Sequence, residues 1–177
     1  PWPPEVQDCG PGDSQRYPPL EPGARKGDRG RLLVIGGGPY HGAPMLAGMA
    51  AARSGCDLVH VAMPSKAASR CEWPNSIIPE ELPDGDLLTM SSTASIGAFT
   101  QSGRRPDSIV IGPGLGRDER TIEAVKAILG MATEQGIPIV VDADALGALP
   151  RGKWPRGMTG VATPHEAEAS RWRGEAE

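Results

Sequence analysis

Large hydrophobic side chains are scarce in this 177-residue sequence: Leu, Ile, Val and a single Phe make up about 18% of it. That share falls just under the roughly 20% at which disorder becomes a concern in strongly charged chains. Here the net charge is only −4, both signs are mixed, and Ala and Met add to the apolar total. Disorder throughout is therefore not expected, but a thin core is. A basic field is also missing, which removes the electrostatic case for nucleic acid or an anionic membrane as a partner. No apolar run approaches the roughly 18 residues that span a bilayer. No charged n-region, apolar h-region and cleavage site open the chain, so secretion is unsupported and a cytoplasmic location is expected. Cys9, Cys56 and Cys71 are odd in number and lack CxxC spacing. This argues against a disulfide framework and a zinc site, and fits reduced thiols. The first residue is Pro1, not Met, as expected of a processed or cut segment.

What is abundant is Gly (24) and Pro (19), about 24% of the chain against a background near 12%. The length allows one domain and hardly two. Seven prolines fall in residues 1–30, which predicts a linker or extended arm. From Arg31 the texture changes. Residues 32–35 form a short apolar run ended by Gly36-Gly37-Gly38, the pattern of a strand buried on both faces. Residues 43–53 read as an Ala- and Met-rich helix stopped by Gly55, and 58–62 as a second strand closed by Pro64. The stretch 65–107 carries weak signals, a short strand at 77–78 and a helix at 93–101, and no assignable function. A third strand at 108–111 runs into Gly112-Pro113-Gly114-Leu115-Gly116. Asp118 then caps a helix through Thr133, with Ile122, Val125, Ile128 and Leu129 on one face. A strand at 137–141 leads into Asp142-Ala143-Asp144-Ala145-Leu146. A last strand at 158–162 runs into Thr163-Pro164-His165-Glu166-Ala167-Glu168 and a helical tail.

Unbroken apolar strands alternating with helices predict an α/β fold, a parallel sheet with helices on both faces. Right-handed crossovers put the strand C-terminal ends on one edge, where open α/β sheets bind ligands. Four strands end there in glycine-rich or polar sequence: 36–42, 112–116, 142–146 and 163–168. Glycines between a strand and a helix let backbone N–H groups approach an anion, and Gly38 belongs to such a loop. The dinucleotide fingerprint fails at His41, however, and no Gly-Lys-Ser/Thr marks a P-loop. A tight strand-to-helix turn explains the same residues. The alternating glycines Gly112, Gly114 and Gly116 suit close approach to a flat or phosphorylated ligand, or a loop held open by Pro113. Asp142 and Asp144 can bind Mg²⁺ through water or hold a ribose hydroxyl, or one of them caps the helix that follows. Asp142 is the one expected to face the ligand edge. His165 and Glu168 make a weak metal pair without a third ligand, so no metal site is expected. Glu168 fits helix-dipole compensation and His165 a hydrogen-bonding or stacking role beside a ligand. His41 and His60 read as loop and strand residues without a chemical role.

Taken together, Lys26-Gly27-Asp28-Arg29-Gly30-Arg31, the loop 36–42 with Ala43, the glycines 112–116, Asp142–Leu146 and Thr163-Pro164-His165…Glu168 occur in the order found in NAD(P)H-hydrate dehydratases. These belong to the ribokinase-like superfamily, and the resemblance spans roughly residues 25–172. GGGPYHGAP, the Ala-rich helix and DLVHVAMP most resemble the archaeal bifunctional form, in which an epimerase domain precedes the dehydratase. Pro3-Pro4-Glu5 and Gly10-Pro11-Gly12-Asp13 resemble the segment joining the two. The resemblance implies a three-layer α/β/α fold with a mostly parallel central sheet, an arm over 1–25 and the N-terminal part of a dehydratase domain over 26–177. It implies dehydration of (6S)-NADHX or NADPHX back to NAD(P)H at the expense of ADP or ATP with Mg²⁺. Ala43, Gly114, Gly116 and His165 would contact the hydrated cofactor, with Gly38, Asp142, Asp144 and Glu168 as further residues along the ligand edge. A fused or adjacent epimerase domain and self-association into a homo-oligomer are implied as partners.

One departure bears on all of this. The family continues with a Lys-containing segment that holds nucleotide phosphates and with an Asn…Gly-Thr-Gly-Asp motif whose Asp is the base. Neither occurs in these 177 residues. The expectation is a fold truncated at its C-terminus, lacking the catalytic Asp and half the nucleotide site, with little activity alone and a low or broad melting transition. A small-alcohol kinase of the same superfamily, or a non-catalytic nucleotide-binding remnant, stand as alternatives.

Overall fold

The computed structural model describes residues 10–16, 19 and 21–175. Cys9 and the Pro3-Pro4-Glu5 segment lie outside them. Within the proline-rich arm, Pro11–Arg16 forms a 3-10 helix. The Lys26–Arg31 segment is docked onto the sheet: the Asp57 carboxylate accepts from Gly27 N–H (2.9 Å) and Arg29 N–H (3.1 Å). Those two amides hold the Asp57 carboxyl below its usual range.

Six strands follow: β1 (Arg31–Ile35), β2 (Leu58–Pro64), β3 (Ile78–Leu82), β4 (Ser108–Ile111), β5 (Ile139–Val141) and β6 (Gly160–Ala162). Their order is β3-β2-β1-β4-β5-β6, and every neighbouring pair is parallel. Successive strands step outward from β1 on one side, then from β4 on the other. The direction of winding reverses between β1 and β4, which in such sheets opens a crevice at the carboxyl edge.

The crossovers are α1 (Gly42–Arg53), α2 (Ser65–Ala68), α3 (Met90–Gln101) and α4 (Glu119–Glu134), with α5 (Glu166–Arg173) after β6. Alternate strand residues face opposite layers. Leu33, Ile35, Ile109 and Ile111 pack with Ile96 and Phe99 of α3 and with Val125 and Ile128 of α4. Val34, Val59, Val61 and Met63 pack with Met45 of α1 and Ala67 and Ala68 of α2. The result is the three-layer α/β/α arrangement expected from the alternation of elements, with a sheet that is parallel throughout.

Local chemistry explains the boundaries. Asp118 caps α4 by accepting from Arg120 N–H (3.0 Å), and Gly136 takes φ +63° just beyond the helix. β3 carries Pro79, Glu80 and Glu81, a composition tolerated because it is an edge strand. His60, buried on β2, lies edge-on to Phe99 at 4.9 Å and bonds Glu80 Oε1 at 2.8 Å. It is a paired core residue, as its place in a strand predicts. Cys56 and Cys71 are free, and burial pushes both thiols up, away from nucleophilic chemistry. Among the described residues no helix is long and apolar enough to cross a membrane.

Candidate functional site

The four motif loops leave the carboxyl ends of β1, β4, β5 and β6, and they are joined in series. The loop 36–42 meets 112–116 through backbone: Gly37 N–H donates to the Pro113 carbonyl at 2.9 Å. A Cβ on Gly36 would strike that same Pro113 oxygen, and one on Gly114 (φ +73°) would strike the Tyr40 carbonyl. Glycine at these two positions is therefore required by loop-on-loop packing. At Gly36 and Gly114 the close neighbour on the Cβ side is protein backbone.

The second junction joins 112–116 to 142–146. Asp144 Oδ2 accepts from Gly116 N–H at 2.9 Å, and Oδ1 accepts from Arg117 Nε at 3.1 Å. Between the two acids Ala143 adopts φ +47°, a conformation non-glycine residues seldom take. The third junction joins 142–146 to 163–168: Asp142 Oδ1 accepts from Thr163 Oγ1 at 2.7 Å. Asp142 occupies the cap position of the 3-10 helix Ala143–Ala148 without a side-chain capping bond, because its carboxylate is turned to Thr163.

At the end of the series His165 precedes α5 with its ring exposed. Its N–H donates to Glu168 Oε2 at 3.0 Å, and its Nε2 lies 3.4 Å from Glu168 Oε1. Glu168 thus caps α5, the helix-start role its position predicts. Ala43 sits exposed in the first turn of α1. No side chain caps that turn and no acid occupies it, so the start of α1 offers uncompensated N–H dipole to an anion. Gly38 is held from outside by Arg70, whose Nη2 donates to the Gly38 carbonyl at 2.6 Å.

Arg70 belongs to the stretch 65–107, to which the sequence assigns no function. The same stretch brings a second group to this edge. The loop after β3 lies against Gly38, with the Asp86 carbonyl 3.4 Å from where a Gly38 Cβ would be. Asp84 organises that loop: it accepts from Thr89 N–H (2.8 Å) and Thr89 Oγ1 (2.7 Å) and from the Ser91 and Ser92 hydroxyls. Burial alone would push this carboxyl up, but the hydrogen bonds from Ser91, Ser92 and Thr89 together outweigh it and hold it below its usual value. The sequence signal for this group is Asp84 followed by Thr89, Ser91 and Ser92 at a helix start. Lys66 pairs with Asp86 at 2.8 Å on the surface above.

Among the described residues no three His, Cys, Asp or Glu side chains converge to hold a metal ion. The carboxylates of Asp142 and Asp144 are engaged by Thr163, Gly116 and Arg117.

A doubly wound parallel sheet between helical layers, with its carboxyl-edge loops closed on one another beside the switch point, defines the class: doubly wound three-layer α/β/α proteins that bind ligands at that edge. Residues 32–177 match the NAD(P)H-hydrate dehydratase family along their length, and the chain belongs to that family. It is 38% identical over 164 residues to the bifunctional NAD(P)H-hydrate repair enzyme Nnr of Methanothermobacter thermautotrophicus, covering 91% of this chain and 31% of that protein. It is 39% identical over 136 residues to the ATP-dependent (S)-NAD(P)H-hydrate dehydratase of Emericella nidulans, covering 73% of this chain and 37% of that one. The ADP/ATP-dependent NAD(P)H-hydrate dehydratase of Bacillus subtilis, co-crystallized with ATP and Mg²⁺ and soaked with CoA, superposes with a TM-score of 0.56 at 25% identity. That match covers 83% of this chain and 49% of the other. The chain spans about a third of the length of the curated relatives it matches.

Proposed function

We propose that this chain supplies the N-terminal part of an ADP- or ATP-dependent dehydratase that returns (6S)-hydrated NADH or NADPH to NAD(P)H. The observation that carries the reading is the serial closure of 36–42, 112–116, 142–146 and 163–168 at one sheet edge. It occurs in a chain of the dehydratase family, and it makes one wall out of residues far apart in sequence. In this reading Ala43, Gly114, Gly116 and His165 contact the hydrated cofactor, while Gly38, Asp142, Asp144 and Glu168 hold the wall in shape.

The chemistry fits the need. Hydroxide leaves poorly and phosphate leaves well, so the ring hydroxyl takes a phosphoryl group from the nucleotide. Phosphate then departs with the C–O electrons as the ring nitrogen pushes its lone pair in and an adjacent proton is lost. The uncapped start of α1 suits an anionic portion of substrate. The glycines at 36 and 114 let the two loops pack backbone on backbone, through the Pro113 and Tyr40 carbonyls. Mg²⁺ in this reading arrives with the nucleotide phosphates. The base expected from the resemblance, the Asp of a Gly-Thr-Gly-Asp motif, does not occur in these 177 residues. In this reading the 177 residues by themselves are expected to bind substrate with little turnover.

An epimerase domain, fused or adjacent, is the expected partner, because the Methanothermobacter relative is bifunctional. A cytoplasmic location and a homo-oligomer complete the reading. Equilibrium titration with NADHX and NADPHX, followed by incubation with ATP or ADP and Mg²⁺ while NADH fluorescence is recorded, tests it. Saturable binding with little turnover is expected. Failure to bind either hydrate, with binding of a simple sugar alcohol instead, would transfer the chain to the small-alcohol kinases. Regeneration of NADH at an enzyme-like rate would overturn the expected inactivity.

A further inference from the structure

Beside the junction of the three later loops lies a cleft of about 420 Å³, within the roughly 300–1,000 Å³ range of small-molecule sites. It is walled by α4, the 3-10 helix Ala143–Ala148 and α5, elements that begin at the carboxyl ends of β4, β5 and β6. Its composition is divided. Ile122, Leu146 and Trp172 contribute apolar surface, and Arg117, Arg151 and Arg171 contribute guanidinium groups.

The two carboxylates at the cleft offset part of that charge, Asp144 by pairing with Arg117, and leave Arg151 and Arg171 without an ion-pair partner among the described residues. Asp144 is committed to Gly116 N–H and Arg117, and Glu168 to the His165 N–H. Arg171 places Nε on the Ala167 carbonyl (3.1 Å) and Arg151 places Nη2 on the Gly174 carbonyl (3.0 Å). Among the described residues neither has a carboxylate partner. These contacts fix each arginine by one N–H and leave the rest of its planar fork for an anion. Trp172 is fixed as well, its indole N–H donating to the Pro150 carbonyl at 2.8 Å. An apolar wall with an indole beside a pair of anchored guanidiniums suits a ligand that is aromatic at one end and doubly charged at the other.

We infer that this cleft receives the adenosine end of a hydrated dinucleotide, with Arg151 and Arg171 meeting the 2′-phosphate that distinguishes NADPHX from NADHX. The inference rests on the proposed dehydratase reading for the identity of the dinucleotide. The place of the cleft supports it: Asp144 and Glu168 border both the cleft and the wall of motif loops. An extended dinucleotide, with an aromatic base at one end and the hydrated ring at the other, is the kind of ligand that spans the two.

The test is calorimetric titration of this chain with adenosine 2′,5′-bisphosphate, adenosine 5′-monophosphate, NADPHX and NADHX. It uses wild type, Arg151→Ala, Arg171→Ala, Arg171→Lys and, as a control distant from the cleft, Arg53→Ala. Circular dichroism melts establish that each variant is folded, and Arg171→Lys keeps the test open should either alanine variant unfold. The bisphosphate is expected to bind wild type about tenfold tighter than the monophosphate. Either cleft alanine should weaken bisphosphate by about tenfold or more, the scale of one charge-assisted hydrogen bond. Arg171→Lys should fall between, and Arg53→Ala should match wild type. Bisphosphate that fails to bind wild type, or binds all variants alike, overturns the cleft assignment. If that happens while NADHX and NADPHX bind equally well, the dehydratase reading stands and the cleft alone is wrong. Bisphosphate binding that both alanines abolish, without binding of either hydrate, supports the cleft and defeats the dehydratase reading.

Discussion

On one face of the sheet, Leu33, Ile35, Ile109 and Ile111 lie under Ile96, Phe99, Val125 and Ile128, all buried aliphatic or aromatic side chains of ordinary size. On the other, Val34, Val59 and Val61 meet α1 through Met45 and through Gly48, where a Cβ would sit 2.8 Å from Val61 Cγ2. The first layer is held off the sheet by bulk and filled by it. The second approaches closely because small residues let backbone come near, as they do where helices pack tightly against a neighbour. The loop 36–42, which leads into this close layer, contacts 112–116 through Gly37 N–H and the Pro113 carbonyl. The scarcity of large hydrophobics in the composition is thus unevenly distributed: the α3/α4 face has a full complement, and the α1 face is the thin one. The comparison separates a face that carries stability from a face that positions a site.

Ile128→Ala should break the well-filled face most severely. It leaves a cavity at a fully buried position and should cost about 2–5 kcal/mol, read as a drop in denaturant midpoint. Binding by molecules that remain folded should be unchanged. Gly48→Val should harm the close face by the opposite mechanism. A Cβ at this position would already sit 2.8 Å from Val61 Cγ2 and 3.0 Å from Ile77 Cδ1, for a cost of about 1–3 kcal/mol of overpacking. Because α1 must move outward, NADHX and NADPHX affinity should fall with it, and retained affinity would refute the positioning role of the close face.

Asp84→Asn sharpens the comparison at the rim between the faces and should cost on the order of 1 kcal/mol through weakened hydrogen bonds at the start of α3. Its pH signature is distinctive. The folded carboxyl is held below its usual value, so its stabilisation is complete above the unfolded pKa and disappears as pH falls below about 4 through the lowered folded value. A plot of Tm against pH should be flatter in Asp84→Asn across that window than in wild type. The smallest effect is expected from Val161→Thr on β6, outside both packed layers and 55% exposed. It should change stability by less than about 0.5 kcal/mol by the same denaturant measurement.

Much of the fold is legible in the residues themselves. β1, β4 and β5 are mostly runs of Val, Ile and Leu with Gly or Pro at one end or both, the pattern of strands buried on both faces, and β2 adds His60, Ala62 and Met63 to it. Asp118 and the spacing of Val125, Ile128 and Leu129 place α4 almost to the residue. β3 is nearly invisible, because an edge strand with Pro79, Glu80 and Glu81 satisfies neither pattern. α3 begins three residues earlier than its own sequence suggests, since its first turn is held by Asp84, which lies before the helix. The candidate site divides the same way. Its four loops can be assigned to one edge by chirality and strand count. Arg70 and the Asp84 loop cannot, because their partners, the Gly38 carbonyl and the hydroxyls of α3, are neighbours only after β2 and β3 have paired.

Hydrophobic periodicity and glycine placement therefore determined most of the elements, their parallel sense and the edge where chemistry gathers, because burial on two faces and positive φ are constraints each residue imposes locally. Tertiary structure alone decided that Gly114 faces Tyr40, that Asp144 serves Gly116 while Asp142 serves Thr163, and that Arg117, Arg151 and Arg171 share one cleft. Those pairings join segments roughly 20 to 75 residues apart, and only the packed sheet brings the Asp144 and Asp142 partners to about 3 Å.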